Sequence, residues 1–367
     1  MNNRVLVLSN NYYGLWCFRF EVIRSLIEEG YKVYISVPCD YKLDAFEQLG
    51  CEIIDTQYER KGKNPVKDFI LTFKYYKIIK KNQPDVVLSY TIKPNIYGGI
   101  ACQICRVPQI VNITGLGSAV EKTGWLQKLT VQLYKLGLRK ACTVFIQNSA
   151  NMDFCEKNKM VHGKLRLIPG SGVNLEHHAF QTYPSEEPLR FIFIGRLLRE
   201  KGIEHYFKAA HYFMTKYTKL EFHIVGLCEE SYESYLKQLQ EDKIVIYHGP
   251  QADVRPYIGQ SCCTIHPSFY PEGMSNVLLE SCAAGRPIIT TDRSGCKEVV
   301  DDGINGFIVK QQDTDDLIKK IEMFINLPYE KKKLMGIASR KKVESEFDRN
   351  IVVNAYLDEV KEAIARK

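Results

Sequence analysis

Two glutamates, Glu272 and Glu280, bracket the stretch Pro-Glu-Gly-Met-Ser-Asn-Val-Leu-Leu-Glu at residues 271–280. Upstream, the apolar run 191–194 ends in Gly195-Arg196 and is followed by Lys201-Gly202. These types suit a diphosphate that carries a polyhydroxylated sugar. Arg196 and Lys201 bring positive charge. The turn of Gly273, Met274, Ser275 and Asn276, running into Val277, opens a helix whose first backbone N–H groups lack intrahelical acceptors and attract anions. Ionised Glu272 and Glu280 accept strong hydrogen bonds from hydroxyls. The plain alternative is a surface Arg-x-x-x-x-Lys and two charges around an ordinary helix. The position of Arg196 and Lys201, after a buried strand and before a helix, favours the anion reading. A hydrolytic carboxylate pair fits poorly. Eight helical residues span roughly 12 Å, whereas such pairs stand ~5–9.5 Å apart. Ser275 or Asn276 is the expected helix cap.

The elements that must carry these groups are parallel βαβ units. In the first half, strands are expected at 5–8, 32–37, 52–54, 85–88, 109–112 and 143–146, with helices at 18–29, 43–49, 66–81, 95–105 and 126–140. A loose stretch follows at 168–174 and reads as a linker. The alternation restarts with strands at 190–194, 221–225, 244–247, 263–266, 287–290 and 306–309, helices at 203–215, 232–240 and 277–284, and a helical tail from 315. Short apolar runs separated by helical patterns indicate doubly wound α/β domains. The expected architecture is two Rossmann-like domains facing across a cleft, residues 1–172 and 173–350. In such sheets ligands sit outside the carboxyl ends of the strands, where Gly195-Arg196, 270–272 and 290–292 all fall.

Bulk properties agree. At 367 residues, 45% apolar and 25% charged, the chain suits two soluble domains. No apolar run approaches the ~18–20 residues of a membrane span. The first apolar run, 5–8, is too short for a signal-peptide core, which leads to the expectation of a cytoplasmic protein. The net charge of +7 is uneven: residues 1–175 hold 24 Lys and Arg against 14 Asp and Glu, and the remainder 26 against 29. The basic half suits an anionic lipid, a phosphate-bearing substrate or a nucleic acid. Residues 60–81 concentrate it, with eight Lys and Arg and one acid, Asp68, interleaved with aromatics. One reading is a helix with a core face and a solvated face; the sharper one is a helix on an anionic membrane surface, with Trp125 near Lys122 and Lys128 as an interfacial contact.

Other motifs are weaker. Twelve cysteines include one CxxC, Cys102 and Cys105, with no second pair at zinc spacing; reduced thiols acting as small hydrophobes are expected. The eight histidines show no HExxH spacing. Gly115-x-Gly117-Ser118-Ala119 follows a strand but lacks the downstream acid of a dinucleotide site, so a glycine loop at the cleft edge is the better reading.

Taken together, Gly195-Arg196 with Lys201-Gly202, Glu272 and Glu280 within PEGMSNVLLE, Pro169-Gly170-Ser171-Gly172-Val173-Asn174, and Glu298-Val299-Val300 with Ile304-Asn305-Gly306 resemble the GT4 family of retaining glycosyltransferases with the GT-B fold. Residues 90–95 and 114–117 resemble the subgroup that extends polyprenol-diphosphate-linked sugars for bacterial surface glycans. The resemblance implies that Arg196 and Lys201 bind the donor diphosphate, Glu280 holds the ribose, and Glu272 contacts the donor sugar beside the N–H groups of residues 273–276. It places Gly14 in a first-domain loop under the phosphates, and Thr114 where many relatives carry a histidine against the donor sugar. It implies a UDP-sugar donor with no cofactor and no metal, a helix at 351–367 crossing back to the first domain, and a site on the inner face of the plasma membrane. Rival readings are a nucleotide-sugar epimerase, a family member with a non-lipid acceptor, a sugar-nucleotide sensor, and a nucleic-acid module; the last lacks a DNA- or RNA-reading signature.

Overall fold

The structure is a computed structural model that describes residues 3–38, 44–58, 64–117, 120, 121 and 123–366. Leu43, Arg60, Lys61, Lys63, Ser118, Ala119 and Lys122 of the sequence reading lie outside the described residues. The chain forms two compact units. One comprises Met1–Ser171, Pro271–Met274 and Arg349–Lys367; the other comprises Gly172–Tyr270 and Ser275–Asp348.

The first unit runs β1 (Arg4–Leu8), α1 (Tyr12–Glu28), β2 (Lys32–Val37), α2 (Asp44–Gln48), β3 (Glu52–Asp55), α3 (Pro65–Asn82), β4 (Val86–Tyr90), a π-turn (Pro94–Gly98), α4 (Gly99–Cys105), β5 (Gln109–Ile113), α5 (Trp125–Leu138), β6 (Ala141–Ile146), α6 (Ser149–Lys157) and β7 (Lys164–Leu167). The strands form one parallel sheet in the order β3-β2-β1-β4-β5-β6-β7. Strand β1 explains the unbroken apolar run. Val5 and Val7 pack against α1, while Leu6 and Leu8 point to the other face and meet Leu71, Tyr75 and Ile79 of α3. A strand covered by helices on both faces has no polar side to alternate with.

The second unit runs β8 (Leu189–Ile194), a 3-10 turn (Arg199–Lys201), α7 (Ile203–Met214), β9 (Leu220–Val225), α8 (Glu230–Glu241), β10 (Ile246–Tyr247), α9 (Arg255–Gln260), β11 (Cys263–His266), α10 (Asn276–Ala283), β12 (Ile288–Thr291), β13 (Gly306–Val309), α11 (Thr314–Ile325) and α12 (Tyr329–Glu346). Its parallel sheet has the order β10-β9-β8-β11-β12-β13. Phe191 and Phe193 of β8 join the large core under α7, α8 and α11; Ile192 and Ile194 face the opposite patch with Ile258 and Ala284. Arg286 is fully buried here, and its guanidinium donates to six backbone carbonyls between residues 181 and 285. Burial lowers its pKa to about 10.

The last helix, α13 (Arg349–Ala365), belongs to the first unit and packs against α1, β4 and β5. Its Glu359, 2% exposed, receives Lys164 at 2.6 Å, Arg166 at 2.9 Å and the Thr143 hydroxyl at 2.6 Å. Burial pushes this carboxyl up, but those hydrogen bonds and charges outweigh it and hold its pKa below the ordinary value. Among the described residues the cysteines are free thiols, and no helix is long and apolar enough to cross a membrane.

Candidate active site

In a doubly wound sheet the ligand crevice opens where neighbouring strands send their connections in opposite directions. In the second unit that point lies between β8 and β11. Strand β8 leaves the sheet through Gly195, whose φ of +152° suits glycine. Arg196 follows, exposed and with no ion pair among the described residues. Leu197 is fully buried and returns the chain to the core. The 3-10 turn then carries Lys201 to the start of α7. Gly202 makes this path possible: at φ +79° a Cβ would also lie 2.0 Å from the Pro267 carbonyl oxygen.

The loop after β11 is stitched to the same turn. Phe269 N donates to the Glu200 carbonyl at 2.8 Å, and the Ser268 hydroxyl donates to it at 3.4 Å. The Lys201 ammonium stands 5.0 Å from the centroid of the Tyr270 ring, a cation–π distance that fixes where its charge sits. Thr290 and Thr291 of β12 donate to the carbonyls of His266 and Ser268 and so hold the same loop from the other side.

Helix α10 supplies the neighbouring wall. Ser275 N donates to the Gly295 carbonyl at 2.7 Å, and Gly295 N is held by Glu298 Oε2 at 2.7 Å. Ser275 occupies the capping position, yet its hydroxyl makes no capping bond. Ser275 Oγ and Asn276 Oδ1 are both buried without a hydrogen-bond partner. The N–H groups of the first turn are therefore not met by a side-chain cap. Val277 packs on the patch of Ile192 and Ile194 and seats this helix start beside β8. Glu280 lies one turn further on, half-buried and on the same side as Asn276.

Pro271–Met274 lies with the first unit. Asn148 anchors it: its Nδ2 donates to the carbonyls of Glu272 at 3.1 Å and Gly273 at 2.6 Å, while its Oδ1 accepts from Asn151 N and caps α6. Gly273 allows a close approach, since a Cβ there would stand 2.3 Å from Gln147 Oε1 and 2.4 Å from the Thr114 carbonyl oxygen. Thr114 is exposed just past β5, and Met274 is buried.

Three expectations need correction. Gly14 is not in a loop: α1 begins at Tyr12, six residues before the predicted start, because the Asn11 side chain accepts from Tyr13 N and caps the helix there. The distance argument between Glu272 and Glu280 does not apply, because α10 begins at Asn276 and Glu272 stands before it. The hydroxyl of Ser275 and the amide of Asn276 do not cap the helix. The sequence reading also passed over Asn148, whose role depends on a loop more than 120 residues away. Its only local signal was a polar residue ending an apolar strand.

A family model described as "Glycosyl transferase 4-like" matches residues 4–148, and one described as "Glycosyl transferases group 1" matches residues 176–342. The chain is 25% identical to the N,N'-diacetylbacillosaminyl-diphospho-undecaprenol alpha-1,3-N-acetylgalactosaminyltransferase of Campylobacter jejuni, over 96% of this chain and 97% of the relative. It is 26% identical to the UDP-Gal:alpha-D-GlcNAc-diphosphoundecaprenol alpha-1,3-galactosyltransferase of Escherichia coli, over 70% of each. Among solved structures, Anabaena HepE in complex with UDP and glucose has a TM-score of 0.77 at 18% identity, covering 98% of this chain and 100% of that one. With one family model over each parallel sheet, the chain belongs to the GT4-like group 1 glycosyltransferases and has the GT-B fold.

Proposed function

We propose that the chain moves an N-acetylhexosamine from a UDP-linked donor to a polyprenol-diphosphate-linked saccharide in the assembly of a bacterial surface glycan, with retention of anomeric configuration and without a metal. The observation that carries this is the pairing, at the switch point of the second sheet, of the unpaired cation Arg196 with an α10 start that has no side-chain cap. Both relatives named above act, by their names, on diphospho-undecaprenol-linked sugars, and HepE was solved with UDP and glucose.

As the bond between the anomeric carbon and the diphosphate breaks, negative charge grows on the leaving group. Arg196, Lys201 and the N–H groups of Gly273, Met274 and Asn276 meet that charge, the Ser275 N–H being held by the Gly295 carbonyl. Donors fixed in advance stabilise the transition state more than the ground state. Glu280 takes the ribose hydroxyls, and Glu272 a hydroxyl of the donor sugar. The acceptor hydroxyl attacks on the face that the diphosphate leaves. Its proton passes to a departing phosphate oxygen, and the new C–O bond keeps the original configuration.

Association with the cytoplasmic face of the membrane belongs to the same reading. Helix α3 buries Leu71, Tyr75 and Ile79 but exposes a second apolar stripe of Val66, Phe69, Ile70 and Phe73, with Phe69 75% exposed. Lys67, Lys74, Lys77, Lys80 and Lys81 flank the stripe, and Trp125 of α5 is also 75% exposed. An apolar stripe edged by lysines suits an anionic lipid surface.

The test supplies radiolabelled UDP-N-acetylhexosamines and a polyprenol-diphosphate-linked saccharide in anionic vesicles. The wild type is expected to form an α-linked product. Lys201→Ala and Glu272→Ala are each expected to lower turnover about 10²–10³-fold with unchanged circular dichroism. Full turnover in both variants, or conversion of the donor with no acceptor present, refutes the reading.

A further inference from the structure

A chain of four polar side chains runs across the second sheet, from Arg190 of β8 to His248 just past β10, and none of them belongs to the site described above. Arg190 Nε donates to Glu221 Oε2 at 2.8 Å. The same oxygen lies 3.0 Å from His223 Nε2, and His223 Nδ1 lies 2.9 Å from His248 Nε2.

The order of the chain decides which ring carries which proton. Burial pushes the Glu221 carboxyl up, but hydrogen bonds from His223 and Arg190 outweigh it and hold its pKa below the ordinary value, so it is ionised and only accepts. His223 therefore donates from Nε2, which leaves Nδ1 of the neutral ring as an acceptor. His248 must then donate from Nε2. The nitrogen facing away, His248 Nδ1, can take one more proton with the bond intact. A second proton can go only to His223 Nδ1, and two N–H groups then face each other at hydrogen-bond distance. The bond does not survive that state.

Of titratable and charged groups, Arg190 faces the pair from β8, Glu221 from β9, and Tyr257 from α9, its ring 4.8 Å from that of His248 by centroid. The sheet neighbours of His223 are the apolar Ile192 and Ile246. Only 15% of the His223 side chain is exposed, so water has little access in place of a lost partner. Burial, with the facing His223, holds the His248 pKa below the ordinary value. An opened edge binds the proton more readily than a closed one, and acid therefore favours opening.

The bond closes a weak edge, since β10 is two residues long. Past it, His248 N donates to the Ile224 carbonyl at 2.9 Å, Gln251 Nε2 to the His248 carbonyl at 2.6 Å, and Gly226 N to the Gly249 carbonyl at 3.0 Å. Gly226 also presses on the turn that leads to Arg196: a Cβ there would stand 1.8 Å from the Gly195 carbonyl oxygen. We propose that the His223–His248 bond is an acid-sensitive latch: the doubly protonated pair parts, residues 248–251 loosen from β9, and the Gly195-Arg196 turn loses that support. The last step bears on the diphosphate site and rests on the sugar-transfer reading above.

NMR of the full chain tests the latch without a ligand. At about pH 7.5 a scalar coupling across the N–H···N bond is expected between His248 Nε2 and His223 Nδ1. The two rings should titrate in coupled steps toward about pH 4.5, the coupling vanishing with the second. Hydrogen exchange, corrected for its intrinsic pH dependence, should show the protection of the His248 and Gly226 amides falling about 2- to 10-fold over that range, the worth of one hydrogen bond. His248→Gln keeps a donor in place without a titrating group, and its protection should stay constant. No coupling at about pH 7.5, rings that titrate independently, constant protection in the wild type, or the same fall in His248→Gln overturns the latch. The coupling and the titration need only the wild type, so they decide the matter even if the variant misfolds.

Calorimetry with UDP at both pH values reads the reach to Arg196. The wild type should lose about 2- to 10-fold more affinity in acid than His248→Gln, a comparison that cancels protonation of UDP itself. Equal losses overturn that reach. UDP that binds neither protein at about pH 7.5 overturns the sugar-transfer reading instead, and the NMR result still decides the latch.

Discussion

The two sheets share a topology and differ in what they place at their switch points. After β8 the second unit puts a glycine at φ +152°, then the exposed Arg196, then Lys201 against Tyr270. After β4 the first unit puts a threonine at φ +71°, then a lysine already bound to Asp68. One end offers charge to an anion. The other keeps its cation paired and buries unmet neutral groups. Strand order decides where a ligand can lie, and the residues on the connecting loops decide which ligand it is.

The contrast can be broken most directly by removing each of the two cations in turn. Arg196→Ala is expected to weaken UDP binding by about 10- to 100-fold, the worth of a hydrogen bond to a charged group, measured by calorimetry. Lys93→Met is expected to leave UDP affinity within about twofold, because its charge is spent on Asp68. Equal losses in both variants would erase the distinction between the two switch points.

A second test concerns how each unit secures a buried charge. In the second, Arg286 is satisfied by neutral carbonyls; in the first, Glu359 depends on Lys164 and Arg166. The folded pKa of Glu359 is depressed, so its stabilisation is complete above the unfolded value and disappears as pH falls through the folded one. Glu359→Gln should therefore be about 1–2 kcal/mol less stable than the wild type at pH 7. In urea unfolding that gap should close in acid; a gap that stays constant with pH would remove the carboxylate from the explanation.

The smallest effect sharpens the contrast between Gly195 and Thr91. Thr91→Gly relieves the left-handed strain but gains glycine's unfolded-state entropy, for a net stabilisation of about 0.5–1 kcal/mol. Thermal melts should show a slightly higher Tm. A lower Tm would mean that the threonine is there for the fold.

Much of the framework could be read locally. The strands at 32–37, 263–266 and 306–309 match their expected bounds, because buried parallel strands are continuous apolar runs flanked by turn residues. Strand β7 was missed: its Lys164 and Arg166 look like loop residues until Glu359, nearly 200 positions later, pairs with them. Helices α6 and α9 are short and were likewise passed over. Helix α3 was expected to have either one solvated face or a lipid-facing one, and burial shows a second apolar stripe that local pattern could not separate from the core stripe.

What the sequence determined by itself was the α/β alternation, the two-sheet architecture and the cationic and acidic motif around residues 195–202 and 271–280, since hydrophobic period, glycine position and charge are properties of neighbouring residues. Only the tertiary structure decided that Pro271–Met274 rests on Asn148 in the first unit, that Lys93 is neutralised by Asp68, and that Thr91, Asn95 and Tyr134 share one cavity. Whether a polar atom is satisfied depends on groups far away in the chain, and no local pattern records which of them will meet it.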